Sequence, residues 1–477
     1  MTKFLNKLSS NVVIYLSLIF TIGMVILNGI GLISFTNLFS FNSVYEIIGI
    51  ILFLALMFLL TMYLPKIKDN KNFLIILFIV AFILRLIWII WIPTEPTSDF
   101  KVMYDGATEI VNGNYNAILD SFYFNVWAYQ LGFTGYLALL IKIFNGSLFM
   151  IKLVNVLITS CIPIVIYFSA KKLCGEKPAR IVSILYALYI GSIANTSVLT
   201  NQHLATLLFF IAIYLIISDV NRIYKWLLIG LLIGFGDIIR PEGSIILIAL
   251  LLFGVFKNIT NLKEVAKSIL EFVGILVIVV MISKIVSFGF VNSGISNYPL
   301  ENRDPLWKFT CGLNPETKGT YSDADLVYLH NAEVSGKSRN EAHMELIKER
   351  LSNPPQLITT MEYKYVTMWA VNDTSLQFAF TDNVDKPEVY DFTLKLEKIQ
   401  YILIIVLFMI GIINIIKRKE GFTNNHIYLI ILLGYLLAHL LIEIQPRYRY
   451  FGLPIFFIIA AYCFSKPSRE LRFSRYN

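Results

Sequence analysis

Long apolar runs separated by short polar loops dominate the pattern along the chain. A run of about 20 apolar residues can cross the roughly 30 Å hydrocarbon core of a bilayer as an α-helix, which satisfies its own backbone hydrogen bonds. The pattern predicts about twelve such spans, with the pair at 226–256 short for two crossings. The predicted spans are 12–34, 45–63, 73–92, 150–170, 181–197, 203–218, 226–238, 244–256, 269–290, 398–416, 426–443 and 451–465. The sequence therefore predicts an all-α polytopic membrane protein.

Two longer regions, 93–149 and 291–396, interrupt this pattern. In the first, the apolar run Leu131–Ser147 is short, so we predict a juxtamembrane helix along the outer surface. The second is polar throughout and is predicted to be an extracytoplasmic insertion. The predicted organisation is an N-terminal helical pair (1–72), a membrane core (73–290) that includes the first outer loop (93–149), the insertion (291–396), and C-terminal transmembrane helices with a basic tail (397–477).

The insertion carries local helix signals. Ser338 is a candidate helix cap, and Pro354 is expected to end the helix that follows. Ala342, Leu346 and Ile347 share one face of this helix. The next run, "QLITTMEYKYVTMWAV", is amphipathic. We expect it to lie on the bilayer with Trp369 at the interface.

Composition and charge agree with a membrane protein and give it an orientation. The chain of 477 residues is 57% hydrophobic and 15% charged, against about a quarter charged in soluble domains. Its net charge of +8 is not gathered in a nucleic-acid-binding patch, because Lys and Arg concentrate in alternate loops. Such loops are cytoplasmic, so both termini are predicted to be cytoplasmic. The basic loops carry Lys3, Lys7, Lys66, Lys68, Lys71, Lys171, Lys172, Lys177, Arg180, Arg222, Lys225, Lys257, Lys263, Lys267, Lys417, Arg418 and Lys419.

Familiar short motifs are incomplete. "SGKS" at 335–338 lacks the glycine that a phosphate-binding loop needs five residues before Gly336, where Asn331 stands. "NEAHMELI" lacks the spacing of a zinc-binding HExxH helix, and the four cysteines form neither a CxxC pair nor a disulfide framework. The sequence predicts no metal site.

Polar chemistry gathers instead at the predicted outer rim. The stretch "PTEPTSDFKVMYDGATEI" leaves the third span and presents Asp99, Asp105 and Glu109. Charged groups there are costly near lipid unless they are paired or line a polar cavity. Asp99 has Arg240, Arg447 and Arg449 as potential partners. The other rim segments are "LTNQH" (199–203), "GDIIRPEG" (236–243) and "IEIQPRYRYFGLP" (442–454).

The order of these segments resembles the GT-C glycosyltransferases, in the branch of protein O-mannosyltransferases and lipid A aminoarabinose transferases. The resemblance covers roughly residues 73–300, and a weaker similarity extends over 440–460. It rests on "SDF", "TGYLALLIKIFNGS", "TSVLTNQHLATLLFF" and "GLLIGFGDIIRPEG". In this family the run before "NGS" is an outer juxtamembrane helix. This chain departs from some relatives at Phe100 and Asn201, where they carry acids.

The resemblance implies transfer of a monosaccharide from a polyprenyl-phosphate carrier to an extracytoplasmic acceptor, a cell-envelope polymer, glycolipid or protein. It makes Asp99 the general base or acceptor positioner. Arginine offers a planar fork for phosphate. Candidates for the donor phosphate are Arg240, Arg447, Arg449 and Lys101, and candidates for the acceptor or sugar are Tyr104, Asp105, Asn201, Gln202 and Glu242. No cofactor is predicted to be required, and a divalent metal remains open.

Other interpretations stay open at this point. Asp105 and Glu109 suit a solvated helix face, Arg240 suits an interfacial anchor, and "PRYRY" suits a plain aromatic–basic belt. A polysaccharide polymerase or ligase acting on lipid-diphosphate-linked glycans would share the many spans and the large outer loop. A lipid-linked sugar flippase or transporter would show repeated halves and charges deep in several spans, and the sequence shows neither.

Overall fold

The computed structural model describes residues 2–34, 44–220, 222–371, 373–381 and 386–465. Over these ranges the chain is helical, and its one isolated β-bridge joins Trp127 to Asn302. The α-helices are α1 (Thr2–Ser34), α2 (Val44–Tyr63), α3 (Asn70–Trp91), α4 (Ser98–Asn112), α5 (Asn116–Leu119), α6 (Phe122–Val126), α7 (Leu131–Ile143), α8 (Leu148–Cys174), α9 (Glu176–Ala187), α10 (Ile190–Asn195), α11 (Gln202–Ile217), α12 (Arg222–Ile239), α13 (Gly243–Asn258), α14 (Leu262–Asn292), α15 (Trp307–Gly312), α16 (Asp323–Val334), α17 (Arg339–Leu351), α18 (Pro354–Trp369), α19 (Pro387–Arg418), α20 (His426–Leu441) and α21 (Arg449–Ala460). Short 3₁₀ helices cover Leu64–Lys66, Ala128–Gln130, Thr374–Ala379, Pro446–Tyr448 and Ala461–Phe464.

Six helices in the described ranges, α1, α2, α3, α8, α14 and α19, are long and apolar enough to cross a membrane. The other six predicted spans coincide with shorter helices. The predicted span 181–197 is divided between α9 and α10, because the chain is extended at Tyr189. The all-helical, polytopic fold class is confirmed.

Helix α21 lies at the centre of the bundle, and every one of its residues is buried. Its aromatic side chains contact neighbouring helices. The ring centroids of Phe456 and Phe408 of α19 lie 4.8 Å apart, and those of Phe457 and Tyr186 of α9 lie 5.1 Å apart. Burying aromatic rings of this size is a large favourable contribution to packing. The C-terminal helices are therefore part of the same core as the N-terminal ones.

Helix α7 has 13 residues, about 20 Å at 1.5 Å per residue, which is too short for the hydrocarbon core. It packs tightly against α4 and α12. At Gly132 a Cβ atom would overlap the backbone carbonyl oxygen of Ile238, so only glycine allows this approach. The close contact fixes the turn after α12, which carries Arg240.

The insertion between α14 and α19 forms a small hydrophobic cluster of its own, from Trp307, Cys311, Leu329, Ala332 and Ala342. Trp127, from the first outer loop, packs against this cluster. Arg303 strengthens the same contact, because its backbone N–H donates to Val126 (3.1 Å) and its guanidinium to the Asn125 carbonyl (2.8 Å). The two outer segments are thus joined.

One expectation about the insertion is wrong. Trp369 does not lie at a lipid interface, since only 1% of it is exposed. Its ring packs edge-on to Phe20 of α1 at 5.4 Å and against Phe456 at 5.9 Å. Its carbonyl oxygen accepts a hydrogen bond from Asn28 at 3.1 Å. Helix α18 therefore ends inside the bundle, because its last turn meets apolar partners from α1 and α21.

Candidate active site

Asp99 lies in the first turn of α4, where the positive end of the helix dipole stabilises a carboxylate. The preceding residue, Ser98, has a φ of 51°, a left-handed conformation that is uncommon for a residue with a side chain. Phe100 and Met103 are buried beneath the helix and fix its position. The Asp99 side chain is 43% exposed and is therefore available to a ligand.

Arg447 reaches Asp99 from the turn between α20 and α21. Its Nη2 lies 3.3 Å from Asp99 Oδ2. Gln202 holds the backbone of this turn by donating to the Arg447 carbonyl at 2.8 Å. The guanidinium lies over the rings of Phe100 (4.9 Å) and Phe378 (5.6 Å). These flat apolar surfaces set the plane of the guanidinium and leave its edge open.

Arg240 lies on the turn between α12 and α13. Its Nε donates to Glu242 Oε1 at 2.6 Å and its Nη1 to Asn201 Oδ1 at 2.9 Å. Burial works to lower the pKa of Arg240, but the adjacent Glu242 carboxylate outweighs it and raises the pKa. Arg240 is therefore a fixed positive charge. The guanidinium packs over the Tyr448 ring at 5.3 Å.

A third ion pair, between Lys308 and Glu443, was not predicted from the sequence. Lys308, on α15 of the insertion, forms an ion pair with Glu443, which follows α20. The backbone N–H of Glu443 also donates to the Lys308 carbonyl at 2.7 Å, and the Gln445 amide donates to Glu443 Oε1 at 2.8 Å. The sequence feature that could have indicated this pair is Glu443 itself, the acid in "IEIQPRYRY" close to the predicted arginines. Its partner lies 135 residues away in the chain.

These groups surround one cavity of about 220 Å³. Asp99, Arg240, Arg447, Asn201 and Glu242 all line it, so the structure brings five of the predicted site residues together. Other polar and aromatic residues complete the lining: Tyr123, Trp127, Tyr129, Gln130, Trp307, Lys308, Tyr321, Tyr435, His439, Glu443, Gln445 and Tyr448.

Several polar atoms at this cavity have no hydrogen-bond partner in the described part of the chain. They are Tyr123 Oη, Gln130 Oε1, Glu242 Oε2 and Arg447 Nε. Buried polar atoms are normally paired, and an unpaired one costs about 1–3 kcal/mol. Burial, followed by the charge of Asp99, raises the pKa of Tyr123, so its phenol keeps its proton. The cavity is thus prepared for a ligand that offers both donors and acceptors.

Other predicted residues lie outside this cavity. Lys101 and Asp105 form an ion pair of 3.0 Å on the solvent-exposed face of α4, with 62% and 54% of their side chains exposed. Tyr104 is partly buried against the bundle and does not reach the cavity lining. Gln202 does not line the cavity either; it supports Arg447 from behind.

Arg449 is also separate from the cavity, although it is only two residues from Arg447. It is fully buried, with Nη2 2.9 Å from Glu397 Oε1 and 3.4 Å from Asp373 Oδ2. Its Nη1 donates to the Val371 carbonyl at 3.1 Å. Two acids and a carbonyl already engage this guanidinium, and it does not line the cavity.

Comparison with known families agrees with this geometry. Residues 133–288, about a third of the chain, match the family described as dolichyl-phosphate-mannose-protein mannosyltransferase. The matched family model is that of a glycosyltransferase domain of the GT-C type. With the apolar helices, the match identifies a membrane glycosyltransferase and confirms the resemblance inferred from the sequence. No curated protein and no solved structure matches the chain.

The GT-C domain runs from α7 into α14 and supplies Asn201, Arg240 and Glu242 to the cavity. Asp99 lies before the matched range and Arg447 after it. The cavity therefore combines the recognised domain with residues from both flanking parts of the chain.

Proposed function

We propose that this glycosyltransferase moves a monosaccharide from a polyprenyl-phosphate carrier to an acceptor outside the cytoplasm, a cell-envelope polymer or glycolipid. The observation that supports it best is the placement of one accessible carboxylate, Asp99, beside two fixed guanidinium groups, Arg447 and Arg240, in one cavity. A base and a phosphate-binding pair are the groups that this reaction needs.

In the proposed reaction, an acceptor hydroxyl attacks the anomeric carbon of the donor sugar while Asp99 takes up the hydroxyl proton. The bond between that carbon and the phosphate oxygen breaks, and the polyprenyl phosphate leaves with the electron pair. Arg447 and Arg240 stabilise the charge that develops on the leaving oxygen. The scheme requires no cofactor.

Asp99 and Arg447 are partners before the donor binds, and this contact has a consequence for the mechanism. The donor phosphodiester, a monoanion, competes with Asp99 for the Arg447 guanidinium, since arginine binds phosphate with two parallel hydrogen bonds. Donor binding then releases the carboxylate for the acceptor hydroxyl. Binding of the donor thereby prepares the base.

The direct test is transfer by the purified protein in lipid nanodiscs. Polyprenyl-phosphate mannose is the first donor, because the matched family is described by that sugar, and other hexose and pentose donors follow. Asp99→Asn should lower kcat by about 10²–10⁴-fold, the usual contribution of a general base. The matched control is Asp105→Asn, which removes an exposed carboxylate from the same helix and should transfer at the parental rate.

Equal rates for Asp99→Asn and the parent would remove Asp99 from the chemistry. A parent that uses only a diphosphate-linked oligosaccharide would instead indicate the polymerase or ligase alternative.

We also propose that both termini are cytoplasmic and that the cavity opens on the extracytoplasmic face. The loop charges support this orientation. In a cysteine-free background, Asp105→Cys should react with a membrane-impermeant maleimide added to intact cells. Lys257→Cys, at an exposed position in the last turn of α13, should react only after the membrane is opened. The reverse pattern would invert the proposed orientation.

A further inference from the structure

The outer wall of the cavity is aromatic. Trp127 comes from the first outer loop, and Trp307 and Tyr321 come from the insertion. The Trp307 and Tyr321 rings lie 5.7 Å apart at 69°, and Trp127 packs on the same small cluster that contains Trp307. None of these rings belongs to the GT-C domain at 133–288. All three residues of this aromatic wall therefore come from the first outer loop and the insertion, outside the matched range.

Contacts on both sides hold this wall in place. The bridge between Trp127 and Asn302 joins the insertion to the first outer loop. The Lys308–Glu443 ion pair joins it to the turn that carries Arg447. Lys364 of α18 adds three hydrogen bonds, donating to the carbonyl oxygens of Gly312 (2.7 Å), Leu440 (2.8 Å) and Ile442 (2.8 Å). The aromatic wall is thus rigidly placed relative to the proposed phosphate site.

Polar atoms without partners accompany the rings. Gln130 Oε1 and Tyr123 Oη lie at the same cavity and have no hydrogen-bond partner in the ranges that the structure describes. A sugar ring presents an apolar face of C–H groups and an edge of hydroxyls that both donate and accept. Aromatic rings suit the face, and an amide oxygen and a phenol suit the edge. A single saccharide ring offers both surfaces.

We infer that Trp127 and Tyr321 form a carbohydrate-binding subsite for the acceptor, so that the acceptor is a glycan or glycolipid headgroup rather than a protein side chain. Trp307, only 3% exposed, supports the Tyr321 ring from within the hydrophobic cluster of the insertion. This inference rests on the proposed transferase function for its place in the reaction. The outer segments hold the acceptor sugar, while the membrane rim holds the donor phosphate.

The test separates acceptor from donor. Tyr321 is 44% exposed, so Tyr321→Ala should leave the fold intact. It should raise the KM for a glycan acceptor about three- to tenfold, the range expected for one lost aromatic contact. The KM for the lipid-phosphate donor should stay unchanged. Tyr321→Phe retains the ring and should restore the parental value. The control is Tyr328→Ala, an exposed tyrosine of the insertion that hydrogen-bonds Glu345 and lies outside the cavity lining.

A binding measurement without donor makes the inference independent of turnover. Saturation-transfer NMR on nanodiscs is recorded with mannose, glucose and N-acetylglucosamine oligosaccharides and with a Ser/Thr-rich peptide. At least one oligosaccharide should bind the parent and Tyr328→Ala, and its binding should be about three- to tenfold weaker in Tyr321→Ala. If saccharide binding follows this pattern but no lipid-phosphate sugar is transferred, the proposed function fails and the subsite stands.

Three results would overturn the subsite. The first is a peptide signal with no saccharide signal, and the second is no signal from either. The third is a Tyr321→Ala variant whose donor KM rises while its acceptor KM does not, which would place the donor sugar on the wall.

Discussion

Arg447 contacts Asp99 through a single nitrogen. Nη2 lies 3.3 Å from Oδ2, at the long end of the range for such bonds, and Nε has no partner in the described part of the chain. Arg240, in contrast, already donates to both Glu242 and Asn201. Arg447 is therefore the less engaged of the two cavity arginines, and the better placed to bind a phosphate with two hydrogen bonds.

The first prediction concerns the guanidinium group of Arg447. Arg447→Lys keeps the positive charge but loses the two parallel donors, and we expect the donor dissociation constant to rise about tenfold. Arg447→Gln also loses the charge, and the rise should reach about a hundredfold, as expected for loss of a charged hydrogen bond worth about 1.5–3 kcal/mol. Calorimetric titration with a polyprenyl-phosphate sugar measures both.

The matched control is Lys101→Gln, which removes an exposed cation from α4 at the edge of the same region. Its donor affinity should equal that of the parent. If Lys101→Gln weakens donor binding as much as Arg447→Gln does, the effect comes from overall surface charge and the phosphate role of Arg447 is wrong.

Local features of the fold were predictable from the sequence. Ser338 caps α17 with a reciprocal capping box to Glu341, Ala342 and Ile347 are buried on one face, and the helix ends before Pro354. Each of these depends on residues within about one or two helical turns. The hydropathy of the spans is equally local, which explains why helices coincide with the predicted spans.

Contacts between distant segments were not predictable in the same way. Lys308 and Glu443 pair across 135 residues, and neither position carries a pattern that names the other. Trp369 looked like an interfacial residue because its amphipathic run suits a bilayer surface. The apolar partners that bury it belong to α1 and α21.

Arg447 and Arg449 show most clearly what could not be predicted from the sequence. Both come from "PRYRY", and the sequence offered both as phosphate ligands. The 3₁₀ turn Pro446–Tyr448 changes into α21 at Arg449, which turns the second arginine away from the cavity and into the bundle. Residue type and spacing indicated a segment that does line the cavity. The choice between the two arginines depended on a helix boundary.

The second prediction tests the contact between α7 and α12. Gly132→Ala places a Cβ against the backbone carbonyl of Ile238, which cannot move without shifting the Arg240 turn. We expect a loss of about 1–3 kcal/mol in stability, the usual cost of overpacking, together with weaker donor binding. Thermal unfolding in detergent micelles and donor titration measure the two effects.

Gly289→Ala is the control, because a Cβ at Gly289 in α14 meets nothing within 4 Å. In an exposed helical position alanine is favoured over glycine by up to about 1 kcal/mol, so this variant should be as stable as the parent or slightly more so. An unchanged Gly132→Ala protein would show that α7 and α12 are not packed as closely as described.

The third prediction assigns Arg449 a structural role. Arg449→Met leaves Glu397 and Asp373 buried without their cation, and breaking a buried pair in this way costs about 3–5 kcal/mol. The midpoint of thermal unfolding should fall accordingly. Lys337→Met breaks a surface pair with Glu345 and should change stability by at most about 1 kcal/mol.

The cost of leaving two buried acids without their cation can be separated from the loss of packing at position 449. Adding Glu397→Gln to Arg449→Met removes one of the two uncompensated acids, so the double variant should recover part of the lost stability. Folded Arg449→Met protein, measured below its unfolding temperature, should bind the donor with parental affinity because Arg449 lies outside the cavity lining. Weakened donor binding under those conditions would return Arg449 to the site, since a purely structural cation has no contact through which it could hold the phosphate.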